Sequence, residues 1–353
     1  MFAKTQEIDL LSTATTETTF IWKEMEDSVI IIAAACGVST ELLEMLVSSV
    51  FQAMIMTVGI EEIRTCRNIE RLKRELRACY PLVDRLLECL DTTSRVDLLG
   101  LTEVILCHEN ISLQALLDAY CECLGSLHGC LVARGRTLVA TASWWALQPS
   151  ERKLLALLVA GDGQATARDV PLFLPFTSPA VPFRLVTCAL AAGVDVCALC
   201  GPSPSLAEAE HTAAQCWRGA VDLLRAAQLC CPRNLAHAVQ LDAGIMGILL
   251  VDHLNGKFLL SGNQLQSDSK KDVYRLDILC TFYYQGAGML WKNSGASKAV
   301  ESYWCSEYHK CHAMQQGNTL LCVLYAAAVP TDTMRHITKQ SFKILTTDKQ
   351  MCW

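Results

Sequence analysis

Apolar and β-branched residues in the middle of the chain fall into strand-length runs at 167–175, 181–190 and 194–201, separated by Ser-Pro and Ala-Gly punctuation. Three such runs with tight connections predict an antiparallel meander. Just upstream, GCLVARGRTLVATAS (129–143) predicts a hairpin turning near Gly135, and PSERKLLALLVA (149–160) a helix; after the meander, 205–227 reads as one longer helix. The last third repeats the pattern. A hairpin is predicted at 244–262, where Asn255-Gly256 suits a two-residue turn, and a helix follows at 272–284 with Val273, Leu276, Leu279 and Cys280 on one face. Strands near 303–309, 311–316 and 319–329 and a helix at 333–347 complete it.

Hairpin, helix, meander, helix is thus written twice. The first third shows only the second half of that order: paired strands at 18–25 and 28–36, then helices at 40–58 and 60–90, the second kinked by Pro81. The arrangement is α+β and longin-like, an antiparallel five-stranded sheet with flanking helices, present three times with the first copy lacking its opening hairpin and helix. The expected domains are 1–92, 102–230 and 238–353, with linkers near 91–101 and 231–237. A first sheet without its opening hairpin is expected to expose unpaired strand edges.

With 353 residues and 52% hydrophobic content the chain can bury several cores. Its 30 basic and 36 acidic residues give a mildly acidic balance, which argues against nucleic acid as the main partner. The first twenty residues lack the continuous apolar stretch of a signal peptide. The most apolar long stretch, 42–60, is interrupted by Glu44, Ser48, Ser49 and Gln52, so a buried helix is expected there rather than a membrane span, and the chain is expected to be soluble and cytosolic. Nineteen cysteines without an export signal read as reduced, mostly buried thiols.

Catalytic signatures are sparse. Cys197 and Cys200 imitate a redox or zinc pair, but three apart on a strand they point to opposite faces. Cys121 and Cys123, two apart on a helix, also diverge. Cys305, His309, Cys311 and His312 form a metal-like group; on a single strand Cys305 and His309 would stand about 13 Å apart, too far for one tetrahedral zinc. Gly256-Lys257 lacks the first glycine and the Ser or Thr of a phosphate loop, Gly161-Asp-Gly163 lacks a third glycine, and Gly295-Ala-Ser297 is no nucleophile elbow. The expectation is no enzyme, no metal and no cofactor. The rival is a cysteine- or zinc-dependent enzyme using Cys197, Cys200 or the 305–312 group.

The surface candidates are contact residues. Arg64, Arg67, Arg71 and Arg74, spaced three, four and three, share one stripe of a continuous helix, opposite Ile69, Leu72, Leu76, Cys79 and Val83. They either touch anionic lipid or an acidic partner, or form a solvated face neutralised by Glu61, Glu70 and Glu75. At roughly 1 kcal/mol for each basic residue near an acidic membrane, four give about 4 kcal/mol, a millimolar affinity, so recruitment would be shared with partners. Helix 40–58, including Phe51, is apolar around nearly its whole circumference and is expected to be buried on two sides, the second by this chain or by another protein. Trp144 and Trp145 either close a core or anchor an interface.

The run TARD-x-P-x-x-L-P-x-x-SP-x-VP-x-RL from Thr166, CGPSP from Cys200, ATASWW at 140–145 and GIEEIRTCRNIERLKRELRACY at 59–80 resemble the fuzzy family of planar cell polarity effectors. The resemblance is dense from about residue 18 to 205 and thin beyond 235. It implies three longin domains, as in exchange-factor subunits, with a family start that continues upstream of Met1, so that an inactive truncated isoform is a further alternative. It also implies pairing with an Inturned-like protein, a WD-repeat subunit of the CPLANE complex and a Rab-like small GTPase. A phosphoinositide membrane surface is a further expected contact. The implied role is non-catalytic, at most half of a guanine-nucleotide exchange heterodimer, in cilium assembly, vesicle trafficking and Hedgehog signalling. The implied location is cytoplasm, cytoskeleton and the ciliary base.

Overall fold

A computed structural model describes residues 12–15, 18–90, 97–160, 166–236, 238–262, 269–287, 300–347 and 353. They divide into two units, one of Met1–Glu88 with Val170–Arg184, the other of Cys89–Asp169 with Leu185–Trp353.

In the first unit β1 (Ser12–Ala14), β2 (Thr18–Met25) and β3 (Val29–Cys36) form an antiparallel sheet in that order. The period of two in β3 sends Val29, Ile31 and Ala33 toward a core made with α1 (Thr40–Val58). α1 starts where Ser39 accepts the Leu42 N–H at 3.3 Å. It ends at Gly59, whose φ of 81° only glycine adopts without strain. By length and composition α1 could cross a membrane; here it packs on β2 and β3 and on α4 (Tyr80–Glu88).

The continuous helix predicted over 60–90 is not formed. α2 (Ile60–Arg64) stops at Thr65, whose hydroxyl bonds back to the Glu61 carbonyl. Asn68 has extended backbone, and its side chain accepts the Arg71 N–H at 3.0 Å to start α3 (Ile69–Leu76). A 3-10 turn, Arg77–Cys79, then leads into α4, where Pro81 sits in the first turn and needs no N–H.

Beyond Glu88, β4 (Thr102–Glu103) and α5 (Asn110–Leu124) come ahead of the repeated order, whose residues belong to the second unit except for Val170–Arg184. β5 (His128–Ala133), β6 (Arg136–Ala140), α6 (Ala142–Ala146), α7 (Pro149–Val159), β7 (Ala167–Leu174), β8 (Ser178–Ala191), β9 (Val194–Cys200), α8 (Leu206–Cys216) and α9 (Val221–Leu229) make the first copy. β10 (Ile245–Asp252), β11 (Lys257–Gly262), α10 (Ser269–Phe282, continuing as a π-helical turn), β12 (Val300–Cys305), β13 (His309–Gln316), β14 (Thr319–Ala326) and α11 (Thr331–Thr347) make the second. Sheet order is β6-β5-β9-β8-β7 in one and β12-β13-β14-β10-β11 in the other, the same topology twice. β4 adds a sixth, parallel strand beside β11. It comes from just beyond a stretch expected to be linker, in which Leu98 and Leu99 are in fact buried.

Three smaller expectations also change. The helix expected over 205–227 breaks after Cys216 where Trp217 turns into the core, and Gly219 lies in the break. The hairpin at 244–262 closes with four residues rather than two, because the Asp252 carboxylate accepts the N–H groups of Leu254 and Asn255, both at 3.1 Å. The two strands expected at 303–309 and 311–316 are both present, but the turn between them comes earlier, at 306–308.

Both faces of the β14 sheet are covered. Leu321, Val323 and Tyr325 meet Met334, Ile337 and Leu345 of α11, and Leu320, Cys322 and Leu324 meet Ile278, Leu279 and Cys280 of α10. Leu276 packs at the rim of the second cluster, while the Val273 side chain lies outside the described residues.

Candidate functional site

Among the described residues only one face of β3 is covered. Ile30 and Ile32 are 62% and 61% exposed on the face turned away from α1. Their cross-strand partners are Glu24 and Trp22, and the Trp22 ring stacks with Phe20 at 6.0 Å. β3 is also the edge of its sheet among the described residues, whereas its counterparts β9 and β14 pair antiparallel with β5 and β10. An apolar sheet face beside an open edge offers both side-chain burial and unpaired backbone groups to another chain.

Phe51 is not on that surface. It is 9% exposed in the core with Met25, Val47, Met54, Ile55, Val58 and Ile63, so both sides of α1 are occupied within its own unit.

The arginine stripe is dispersed because its helix is interrupted. Arg64 on α2 bonds Glu26 at 2.7 Å and lies near Glu61, while Arg71 on α3 bonds Glu75 at 2.8 Å. Glu26 is held below the usual carboxylate range, first by its hydrogen bond from Arg64. Arg67 lies in the link and Arg74 at the end of α3, and neither makes an ion pair among the described residues. The opposing stripe keeps its core role apart from its first member: Cys79 is buried and Leu72, Leu76 and Val83 pack against the same core, while Ile69 is 65% exposed. What the break creates is an open groove of about 290 Å³ lined by Glu62, Thr65, Cys66, Arg67, Asn68, Arg71 and Leu72.

The two tryptophans separate. Trp144 is buried on α6, capped by the Thr141 hydroxyl. Trp145 packs on the core of the last β10–α11 module, with the Arg152 guanidinium 4.9 Å and the Lys257 ammonium 5.5 Å from its ring centre. It therefore anchors an interface, but one inside the chain.

Around Trp145 runs a polar seam that the sequence reading missed. Arg152, buried on α7, donates to the Asn255 carbonyl, and Lys153 bonds Asp97 at 2.5 Å. Glu103 on β4 is ion-paired with Arg136 at 2.8 Å and accepts a hydrogen bond from Asn234 at 2.7 Å. Burial pushes the Glu103 carboxyl up to about 7, against the pull of Arg136. Burial alone would lower the Lys153 ammonium, but Asp97 and Cys89 outweigh it and hold it up. The only sequence signal was Arg-Lys inside a leucine-rich helix.

Among the described residues every cysteine is a free thiol and no three His, Cys, Asp or Glu side chains come close enough to hold a metal ion. Cys197 and Cys200 are both buried in β9, and Cys197 donates to the Cys130 carbonyl at 3.3 Å. Cys305 faces Lys310 across the β12–β13 hairpin. His312 is fully buried, its Nδ1 2.7 Å from the Thr338 hydroxyl and its ring stacked on Tyr303 at 4.4 Å. Burial lowers its affinity for a proton. The glycine motifs at 161–163 and 295–299 lie outside the described residues.

Repeated five-stranded antiparallel sheets with flanking helices are the design of a longin-domain protein. Family models agree: "First Longin domain of FUZ, MON1 and HPS1" matches residues 1–86, the second domain of that set 124–218 and the third 244–349. The chain is 33% identical over 375 residues to protein fuzzy homolog of Xenopus tropicalis, covering 99% of this chain and 89% of that protein. It is 36% identical to the Homo sapiens protein fuzzy homolog over 286 residues, 80% and 68% of the two chains, and 32% identical to that of Mus musculus over 98% and 87%. The chain belongs to the fuzzy homolog family of planar cell polarity effectors, which is generally non-catalytic.

Proposed function

We propose that this protein is an assembly subunit that pairs with an Inturned-like protein, joins a WD-repeat subunit in a CPLANE complex and engages a Rab-like GTPase at the ciliary base. Through that pairing it supports cilium assembly and vesicle trafficking. The observation that carries the reading is the β2–β3 surface, where Ile30, Ile32 and Trp22 line a sheet face that no described residue covers, next to an edge of β3 that no described strand pairs. Such a surface serves docking and needs no reacting group, and exchange on a GTPase can arise from a surface shared by two subunits. Of the two arginines that line one groove, Arg71 is engaged by Glu75, and Arg67, without an ion pair among the described residues, is the one left for a phosphoinositide contact.

Co-purification of the chain with an Inturned-like protein tests this. The double substitution Ile30→Lys with Ile32→Thr should lower capture about tenfold or more, while both sites, already exposed and with Glu24 across from Ile30, leave thermal stability nearly unchanged. Undiminished capture by a stably folded double variant would remove the face from the reading.

A further inference from the structure

Under the first turns of α11 the sheet contact is polar. Glu301 and Tyr303 of β12, His312 of β13 and Tyr325 of β14 share the side that α11 covers, and Tyr303 pairs across the ladder with His312, ring stacked on ring at 4.4 Å. The hydrogen bonds of this row fix the tautomer of the imidazole. Tyr325 donates its one hydroxyl proton to the Met334 carbonyl at 3.1 Å, so its oxygen accepts from the Thr338 hydroxyl at 2.8 Å. Thr338 then has no proton left for His312, and the contact of 2.7 Å between them is a bond from Nδ1–H to the Thr338 oxygen. In the neutral ring Nε2 is therefore bare. It faces the Glu301 carboxylate across 3.8 Å, two acceptors too far apart to bond.

Charge makes a proton at Nε2 unwelcome while β12 is closed. His312 is fully buried, and Glu301 is already neutralised by Arg335 at 2.8 Å and bonded by the Tyr303 hydroxyl at 3.2 Å. Lys339 stands next to Thr338 on α11, and Lys310, two residues before His312, bonds the Val329 carbonyl at 2.8 Å. An imidazolium would thus be a further cation in a patch whose one carboxylate is taken. Among the described residues β12 is the end strand of its sheet, so it can leave without breaking any ladder but its own. We propose that His312 is an acid-operated pin for β12: the neutral ring lets the strand close over it, and a proton at Nε2 is accommodated by β12 lifting off β13, which hydrates the ring and bares the β13 edge. Burial first lowers the proton affinity of the ring, and Glu301 only partly offsets it. The closed form takes a proton less readily than a hydrated ring with its ordinary value of 6.5. Closure is therefore at full strength above 6.5 and weakens as pH falls below it. The competing titrant is His309, on the opposite face, where it meets Trp304 edge-on at 6.0 Å while Trp304 stacks on Phe282 at 5.9 Å.

Amide hydrogen exchange of the full chain tests the pin. Between about pH 7.5 and about pH 5.5, protection of the β12 amides, corrected for intrinsic rates, should fall roughly tenfold, while that of the β10 amides holds. His312→Asn, whose side-chain N–H replaces Nδ1–H and does not titrate, should abolish the fall, and His309→Asn should leave it intact. Nitrogen NMR of the wild-type ring should show the proton on Nδ1 and a bare Nε2 at the higher pH, with a titration midpoint below 6.5 that tracks the loss of β12 protection. That readout decides the matter should His312→Asn not fold. A proton on Nε2 at the higher pH, an undiminished acid response in folded His312→Asn, or a loss of protection spread evenly over the sheet would each overturn the proposal.

Discussion

Gly59 closes α1 with its N–H on the Ile55 carbonyl at 2.8 Å, and a Cβ there would stand 3.0 Å from the Phe173 ring. Gly59→Ala combines a left-handed backbone with that close approach and should cost about 1–3 kcal/mol, read by urea denaturation. Phe173→Ala in the same background should recover the steric part and leave the backbone part; a neutral Gly59→Ala would show that the turn relaxes freely. Other residues were less legible than this glycine. The spacing of Arg64, Arg67, Arg71 and Arg74 was visible in the sequence, but their common face depended on a helix that Asn68 interrupts. For Trp144 and Trp145 the sequence left two roles open, and each ring takes a different one. Arg152 and Lys153 went unnoticed because their partners, Asn255 and Asp97, are 103 and 56 positions away.

Strands and long helices were readable because a two-residue or 3.6-residue period persists through each. α1 occupies the span its apolar pattern predicted, and β2, β7 and β14 start where expected. Breaks were not readable, since Asn68 and Trp217 act through a local cap and a tertiary contact that no period announces. β4 was hidden for the same reason. Two residues carry no period, yet Glu103 in it is held by Arg136 and Asn234. Its carboxyl titrates near 7 when folded and about 4.5 when free. The folded state therefore binds the proton more tightly, and the stability this contributes is present below about 4.5 and lost as pH rises toward 7. The loss is on the order of 2–3 kcal/mol. Glu103→Gln should flatten that part of the stability profile in chemical denaturation from pH 4.5 to 7.5. An unchanged slope would mean that Glu103 stays ionised in the seam.

At the scale of the molecule, the second and third longin modules are joined by the segment that precedes the second module, which is built in against both rather than slack. Leu98 and Leu99 are buried, β4 pairs with β11, and Val104 bridges to Thr137 of β6. Asp97 begins this strap, bonding Lys153 and accepting the Leu98 N–H at 2.7 Å and the Cys89 thiol at 3.3 Å. The two ends of the ion pair are unequal: the Lys153 side chain is 6% exposed, that of Asp97 26%. Asp97→Ala leaves a buried ammonium without its counter-charge and should cost roughly 3–5 kcal/mol. Lys153→Met leaves a carboxylate that water can reach and adds apolar contact, so its cost should be near or below about 1 kcal/mol. The double variant should resemble Lys153→Met, because the lost partner no longer matters once the ammonium is gone. Urea denaturation, with hydrogen exchange at the β4 amides, should show Asp97→Ala opening the strap before the sheets. Equal and additive single costs would mean that the pair is not coupled and that the apolar contacts of Trp145, Leu98 and Leu99 alone join the two modules.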